Sequence, residues 1–143
     1  MECVFCDLIE GLAPLSEVHR DRQVIAFMDI QPVNPGHVLV APIQHSPALA
    51  DLDPEVGAQL FRVAQRVARA IRSSQHRAEG VNLFLADGEV AGQEVLHAHL
   101  HVFPRYEGDG VGLRFGPNYF NLPHRSQLDA TAHELKSLLE SPT

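Results

Sequence analysis

The chain of 143 residues contains little of what several protein classes require. It has no tryptophan and only two cysteines, which is too few for a disulfide scaffold. Its apolar runs, such as residues 38–43, are too short to cross a bilayer. A secretory signal has a basic stretch followed by an apolar segment, and the N-terminus shows no such pattern. We therefore expect a cytoplasmic enzyme or binding domain.

Positive charge is also scarce. Lysine occurs once, at Lys136, and 11 Lys and Arg stand against 18 Asp and Glu, so the formal net charge is −7. This balance argues against electrostatic binding of nucleic acids or membrane surfaces. The Walker pattern of phosphate-binding loops is absent as well. We expect no nucleic-acid and no membrane partner, while a small anionic ligand held by a few local donors stays compatible with the composition.

The hydrophobic content of 45% predicts a single domain with one core, residues 1–143. Short apolar segments bounded by Gly, Pro and Asp predict four strands. They are expected at 24–28, 37–43, 81–86 and 94–103, and Pro104 is expected to end the last one. A wide turn at 34–36 would join the first two strands into an antiparallel hairpin.

Two helices complete the predicted fold. Apolar residues recur at helical spacing through 54–73, with Asp53 as N-cap and Pro54 in the first helical position. A shorter helix is expected at about 126–139, after an irregular loop at 106–123. The order of elements predicts an α+β fold with a mostly antiparallel sheet, one long helix and one short helix.

Histidine is the informative excess in this chain. His97, His99 and His101 alternate with apolar residues, so in a strand they would share one face while Ala98, Leu100 and Val102 face the core. Burying three imidazoles without partners would cost several kcal/mol. The pattern is compatible with a His-rich exposed face, with a metal cluster or with catalysis by a histidine nucleophile or base, and we favour catalysis.

This segment, His97 to Phe103, resembles the His-x-His-x-His signature of the histidine-triad (HIT) family of nucleotide hydrolases and transferases. Further segments are similar to the family's pattern, namely Phe27–Ile30, Pro35–Pro42, Asn82 and Gly92–Val95. The likeness covers residues 3–105, and residues 106–143 form a C-terminal loop and helix. The residues that follow the signature, Pro104–Tyr106 and Gly108–Gly110, resemble those of bacterial members of mixed specificity.

The resemblance implies a mechanism. His99, the middle histidine, would attack the α-phosphate of a purine nucleotide and form a nucleotidyl-histidine intermediate, with a main-chain carbonyl fixing its tautomer. His101 would donate to a phosphoryl oxygen. Main-chain amides around Gln93, Glu94 and Val95 would bind phosphate, and the Gln93 side chain would add a donor.

The resemblance also implies a nucleoside site. Asp29 would accept hydrogen bonds from the ribose hydroxyls, although a turn residue before Pro32 is the alternative. The other predicted nucleoside-binding residues are Phe5, Leu8, Phe27, Ile30 and Asn82. Two positions depart from the family pattern: Glu94 stands where many relatives carry Ser or Thr, and Asp87 where an Asn-like residue is common.

The Cys3-x-x-Cys6 pair is ambiguous by itself, because it is compatible with a redox pair, with two core residues or with half of a zinc site. Zinc-bearing members of the family supply the other half, so the resemblance implies structural Zn²⁺ on Cys3, Cys6, His45 and His97. His37 is expected to make a structural hydrogen bond. Arg105 is expected to face phosphate or to pair with an acidic neighbour.

Several functions remain open. The favoured one is hydrolysis of an AMP-type phosphoramidate or of a dinucleoside polyphosphate. The alternatives are a nucleotidyl transferase, a zinc-stabilised nucleotide-binding module without turnover, and a redox protein. The family usually forms homodimers, in part through the long helix, so we also expect a homodimer.

Overall fold

Five strands form one antiparallel sheet in the first part of the chain. The computed structural model describes residues 2–141, with residues up to Val111 in one compact unit and those from Gly112 onward in a second. The strands are β1 (Glu17–Arg20), β2 (Val24–Met28), β3 (Val38–Pro42), β4 (Gly80–Phe84) and β5 (Leu100–Arg105). Their spatial order is β1-β2-β3-β5-β4, so the long connection from β3 to β4 passes over β5.

That connection contains the helix whose bounds the apolar spacing predicts. Helix α2 spans Pro54–Ser73, and the Asp53 side chain caps it by accepting from the Glu55 amide at 2.8 Å. Its buried stripe packs against one face of the sheet. The helix contributes Leu60, Val63, Ala64, Val67 and Ile71, and the sheet contributes Val24, Ala26, Val38, Val40 and Val102.

The opposite face of the sheet is covered by a short helix, α1, at Val4–Ile9. Phe5 of α1 packs edge-on against Phe27 of β2, with ring centroids 5.3 Å apart. Ile25, Phe27, Leu39 and Ala41 share this face with Cys3 and Phe5. The α1 face is where the functional residues lie.

The second unit contains helix α3, Arg125–Glu140, close to the predicted 126–139. A short 3₁₀ turn at Pro117–Phe120 precedes it. Every described residue from 112 to 141 is exposed, including leucines and aromatic residues. Among the described residues, no helix is both long and apolar enough to cross a membrane.

The α+β fold with an antiparallel sheet is confirmed, but some predicted bounds are wrong. The last strand begins at Leu100 instead of residue 94, and Pro104 lies inside it. Its pairing with β3 ends at Val102, so Pro104 has a neighbouring strand on one side only, a setting in which strands tolerate proline. Helix α1 and strand β1 escaped prediction because each is only a few residues long.

Candidate active site and metal centre

The three histidines of the signature do not share one strand. His101 lies in β5 opposite Leu39 of β3 and Phe84 of β4, on the sheet face that α1 covers. His97 and His99 precede β5 in an irregular segment and are 0% and 7% exposed. The two rings have different surroundings. The His97 ring faces the N-terminal cysteines, whereas the His99 ring lies 4.8 Å from the ring of His101.

The His99 ring has a defined tautomer. Its Nδ1 atom lies 2.7 Å from the main-chain carbonyl oxygen of His97. A carbonyl oxygen only accepts, so Nδ1 carries the proton and donates it. In the neutral ring the Nε2 atom therefore keeps its lone pair. The edge of the Phe5 ring packs against His99 at a centroid distance of 4.9 Å and restrains the imidazole.

The His101 ring is bonded to a fourth histidine. His37 Nε2 lies 2.9 Å from His101 Nδ1, and His37 Nδ1 lies 3.0 Å from the main-chain nitrogen of Val33. The predicted structural role of His37 thus corresponds to a buried side chain, 2% exposed, that contacts the candidate site directly.

Burial keeps these imidazoles neutral near pH 7. Desolvation, aided by the neighbouring His99 and His37, lowers the pKa of His101 to about 4. Desolvation also lowers the pKa of His37, although the nearby Asp29 carboxylate opposes this effect. A neutral ring donates from one nitrogen and accepts at the other, so its partners determine what it can offer a ligand.

Asp29 lies just after β2, beside His37. Its Oδ1 atom accepts from the Gln31 amide at 2.8 Å, and its Oδ2 atom lies 3.5 Å from His37 Nε2. Ligand atoms of Asp29, His37 and His101 lie within 4.8 Å of one another. Since the Val33 amide occupies His37 Nδ1, the Nε2 atom carries a proton that a metal would have to displace. The arrangement therefore fits a hydrogen-bonded group better than a metal site.

The Gln93 side chain braces the loop that precedes the histidines. Its Nε2 atom donates to the carbonyl oxygens of Pro47 (2.7 Å) and Val95 (3.0 Å), and its Oε1 atom accepts from the Gly88 amide (2.8 Å). Gly88 and Gly92 have φ of 94° and 93°, a left-handed conformation that favours glycine. The predicted donor to phosphate is therefore engaged within the protein itself.

The main-chain amides of this loop differ in availability. Gln93 donates its N–H to the Gly88 carbonyl at 3.1 Å. Within the described residues, the Glu94 and Val95 amides donate to no protein group. The Glu94 side chain is exposed, and Asp87 accepts from the Leu49 amide at 2.9 Å. Two donors are thus free for an anion beside an exposed carboxylate.

The predicted nucleoside residues have different surroundings. Phe5 and Phe27 are buried against each other, Leu8 is half-buried beside them, and Ile30 is fully exposed. Asn82 lies on β4 opposite Phe103, and its Oδ1 atom accepts from Arg105 Nη1 at 2.7 Å. The paired aromatic rings thus form a wall next to His99, whereas Ile30 lines no enclosed cavity in this structure.

A second group of side chains meets beside the active-site histidines. Cys3 occupies the position before the first residue of α1, Cys6 lies within α1, His45 follows β3, and His97 precedes β5. Their ligand atoms lie within 4.8 Å of one another. Nδ1 of His97 is 3.5 Å from Cys3 Sγ and 3.7 Å from Cys6 Sγ, and Nδ1 of His45 is 3.4 Å from Cys6 Sγ.

These separations fit tetrahedral zinc. Zinc bonds of about 2.3 Å to sulfur and about 2.0–2.1 Å to nitrogen give sulfur–nitrogen edges of about 3.6 Å. His97 Nε2 donates to the Pro42 carbonyl at 2.8 Å, which leaves its Nδ1 lone pair facing the thiols. The His45 ring also presents its Nδ1 atom to the Cys6 thiol, whereas its buried Nε2 atom has no hydrogen-bond partner among the described residues. The donor set therefore fits a metal ion.

Sequence reasoning missed a polar cluster at the end of β5. Arg105 donates from Nε and Nη2 to the two Asp109 oxygens, at 2.8 and 3.0 Å, so of its two predicted roles the acidic partner is the one observed. Asp109 Oδ2 also accepts from Asn34 Nδ2 at 3.0 Å. Asp109 lies only four residues after the end of β5. Nothing in the local sequence pattern indicates that its carboxylate contacts Asn34 in the turn before β3.

Comparison with known proteins agrees with this geometry. The HIT domain profile matches residues 12–108. The crystal structure of a HIT family member from Bacillus subtilis superposes with a TM-score of 0.88 and 34% identity, covering 99% of this chain and 100% of that one. A Zn-bound histidine triad family protein from Mycobacterium smegmatis gives a TM-score of 0.75 and 39% identity, over 96% and 98% of the two chains.

A plant relative is also similar in sequence. The adenylylsulfatase of Arabidopsis thaliana is 32% identical over 108 residues, which are 76% of this chain and 54% of the plant protein. The HIT domain profile matches more than half of the chain described here, and this chain therefore belongs to the histidine-triad (HIT) family.

Proposed function

We propose that this chain is a hydrolase that cleaves a bond to the α-phosphate of an AMP-type purine nucleotide. The observation that carries the proposal is the 2.7 Å bond from His99 Nδ1 to the His97 carbonyl. In the neutral form of the ring this bond leaves the lone pair on Nε2, which is the nucleophilic atom of an imidazole. A protein that only bound nucleotides would have no need of it.

The proposed reaction has two steps. First, His99 Nε2 forms a bond to the α-phosphorus while the bond from phosphorus to the leaving group breaks, and the leaving group takes the electron pair. His101 would donate a hydrogen bond to a phosphoryl oxygen as negative charge develops there, and the leaving group would take its proton from solvent. Second, water forms a bond to phosphorus, the phosphorus–nitrogen bond breaks, and its electron pair returns to His99. The proton lost by the attacking water goes to solvent, and His99 Nε2 regains its lone pair.

The substrate would be bound mainly by uncharged groups. The free amides of Glu94 and Val95, in a loop that Gln93 braces, would hold the phosphate without a lysine. Asp29 would accept from the ribose hydroxyls. The base would lie near the wall formed by Phe5 and Phe27, and Leu8, Ile30 and Asn82 are the remaining proposed nucleoside contacts. The plant relative is named an adenylylsulfatase, which supports a substrate bearing an adenylyl group.

Zinc would have a structural role. Cys3, Cys6, His45 and His97 would hold it, and the tetrahedral fit and the Zn-bound relative support this assignment. The ion would connect α1 to the segment that carries His99. We further propose a homodimer, which the family resemblance implies in part through the long helix α2; the exposed leucines of α3 are a further apolar surface that a second copy would cover.

The test is nucleotide release from adenosine 5′-phosphoramidate and from diadenosine polyphosphates, with zinc-loaded wild type and His99→Ala. Turnover of either substrate class that falls by at least about 10³-fold in His99→Ala supports the proposal and identifies the leaving group. Transfer of AMP only when an acceptor is added would identify a transferase. Nucleotide binding without turnover under any condition would identify a binding module and contradict the proposal.

A further inference from the structure

The two cysteines of the chain, Cys3 and Cys6, are placed so that an oxidant can reach them. Cys3 directly precedes the first residue of α1, and Cys6 lies in the first turn of that helix. Both are free thiols. Cys3 is only 8% exposed, whereas Cys6 is half-buried. A small oxidant would therefore meet the sulfur of Cys6 first.

The two sulfurs are also close to each other. They lie within 4.8 Å, and Nδ1 of His97 is 3.5 Å from Cys3 Sγ and 3.7 Å from Cys6 Sγ. A disulfide places its sulfurs about 2.0 Å apart. Two zinc bonds of about 2.3 Å at the tetrahedral angle place them about 3.8 Å apart. The pair can therefore bind metal as two thiolates or form a disulfide, but it cannot do both.

A disulfide here would act on the candidate active site. Phe5 stands between the two cysteines in α1, and its ring packs against the His99 ring at 4.9 Å and the His97 ring at 5.8 Å. The His97 ring faces the two sulfurs, while its main-chain carbonyl accepts from His99 Nδ1 at 2.7 Å. One covalent change at the cysteines would thus disturb both groups that restrain the His99 imidazole.

We propose that Cys3 and Cys6 are an oxidation site for peroxides, which converts the pair from zinc ligands into a disulfide and disables His99. As zinc ligands both sulfurs would be thiolates, the nucleophilic form of cysteine. The oxidation itself depends only on these thiols. Its effect on turnover rests in addition on the proposed function.

The oxidation has two steps. The Cys6 thiolate forms a bond to one oxygen of hydrogen peroxide, the oxygen–oxygen bond breaks, and hydroxide leaves. The Cys3 thiolate then forms a bond to the Cys6 sulfur, the sulfur–oxygen bond breaks, and a second hydroxide leaves. Solvent supplies two protons, so two thiolates are oxidised while the peroxide is reduced to two waters. Two histidines remain, which are too few ligands for a structural zinc site.

The test adds equimolar portions of hydrogen peroxide to reduced, zinc-loaded wild type, removes small molecules by gel filtration, and measures metal content and intact mass. We expect close to one zinc lost per disulfide, a mass lower by about 2 Da, and recovery of both thiols with dithiothreitol. The chain has only two cysteines, so this mass change identifies the pair. Thiols that persist, sulfinic acid without a disulfide, a disulfide between two chains, or a disulfide form that keeps its zinc would overturn the proposal.

The matched control is Met28→Leu, which removes one of the two methionines that peroxide also oxidises. Leucine is of similar size, so this variant should lose zinc as wild type does. A variant that keeps its zinc under the same treatment would attribute the release to the methionine and overturn the proposal.

The consequence for His99 is measured first without substrate, by ¹⁵N NMR of the histidine rings. The reduced protein should show the His99 proton on Nδ1, and the oxidised protein should lose this single tautomer. Nucleotide release should fall about tenfold or more on oxidation and return after reduction and addition of zinc. An unchanged His99 tautomer with full turnover in the oxidised protein would overturn the effect on His99. A reduced wild type without turnover would contradict the proposed function, while the disulfide and the zinc release are judged separately.

Discussion

The carbonyl oxygen of His97 accepts a 2.7 Å hydrogen bond from Nδ1 of His99, while the ring of the same His97 faces the two cysteines. One residue thus joins the proposed metal centre to the proposed nucleophile. Any change that moves the His97 ring is expected to move the carbonyl that determines the His99 tautomer. This coupling makes the metal site testable through stability and through activity.

Metal removal is expected to destabilise the protein. Burial, together with a hydrogen bond and the charge from Cys3, raises the pKa of the Cys6 thiol to about 11 in the metal-free cluster, so zinc must displace a proton. Cys6→Ser should lose the zinc and lower Tm by about 10 °C, a change of several kcal/mol. The measurements are metal content and calorimetry.

The matched control for this variant is His133→Ala on the exposed side of α3, which should keep both the zinc and the wild-type Tm. A wild type that contains no zinc and an oxidised Cys3–Cys6 pair would instead support the redox alternative.

Stability is expected to fall on acidification from pH 6.5 towards pH 4. The pKa of His101 in the folded protein is about 4, against 6.5 for an unperturbed side chain, so in this window the unfolded chain binds a proton that the folded one does not. The free energy of unfolding should therefore drop by about 1.4 kcal/mol per pH unit for each such histidine. Above pH 6.5 this contribution is fully present.

Urea unfolding at several pH values checks this slope. His101→Gln should have a shallower slope than wild type, and the comparison cancels any pH-dependent loss of zinc common to both proteins. Identical slopes for the two proteins would show that His101 does not contribute.

The side-chain hydrogen bonds of Gln93 to the backbone of its loop are expected to stabilise the folded protein. Gln93→Glu replaces a two-proton donor by a carboxylate that faces the Pro47 and Val95 carbonyls, and it should cost about 2 kcal/mol or more. The neighbouring change Glu94→Gln alters an exposed side chain and should shift stability by less than about 0.5 kcal/mol. Chemical unfolding compares the two, and equal stabilities would mean that the brace is dispensable.

The sequence predicted the strongly periodic parts of this fold. Helix α2 has the expected bounds because its apolar spacing, its N-cap Asp53 and Pro54 all agree. The predicted start of strand β5 is wrong because the alternation of polar and apolar residues from His97 to Val102 does not distinguish an irregular segment from a strand. The four zinc-ligand candidates meet as the family resemblance implies, although 94 residues separate Cys3 from His97.

Other features of the site follow from tertiary contacts that no local pattern encodes. His37, which directly precedes β3, meets His101 of β5, and Asn34 meets Asp109 across 75 residues of chain. Gln93 matched a family motif, yet its side chain turns to the backbone of its own loop because buried amide groups need partners there.

The proposed homodimer is tested through α3. The exposed Leu128, Leu135 and Leu139 recur on one stripe of this helix. If a second copy covers them, light scattering should give twice the mass of one chain for wild type. The double change Leu135→Glu and Leu139→Glu should give a monomer, and the control Lys136→Gln should remain dimeric. A monomeric wild type at micromolar concentration would contradict the proposal.

In the proposed reaction, Nε2 of His99 forms the bond to phosphorus. This step is tested most directly by mixing zinc-loaded enzyme with adenosine 5′-phosphoramidate or a diadenosine polyphosphate, quenching within milliseconds at alkaline pH, where phosphoramidates persist, and locating the adduct by peptide mass spectrometry. We expect an AMP adduct on His99 that disappears as the substrate is consumed. An adduct on another residue, or turnover with no protein adduct at any time, would contradict it.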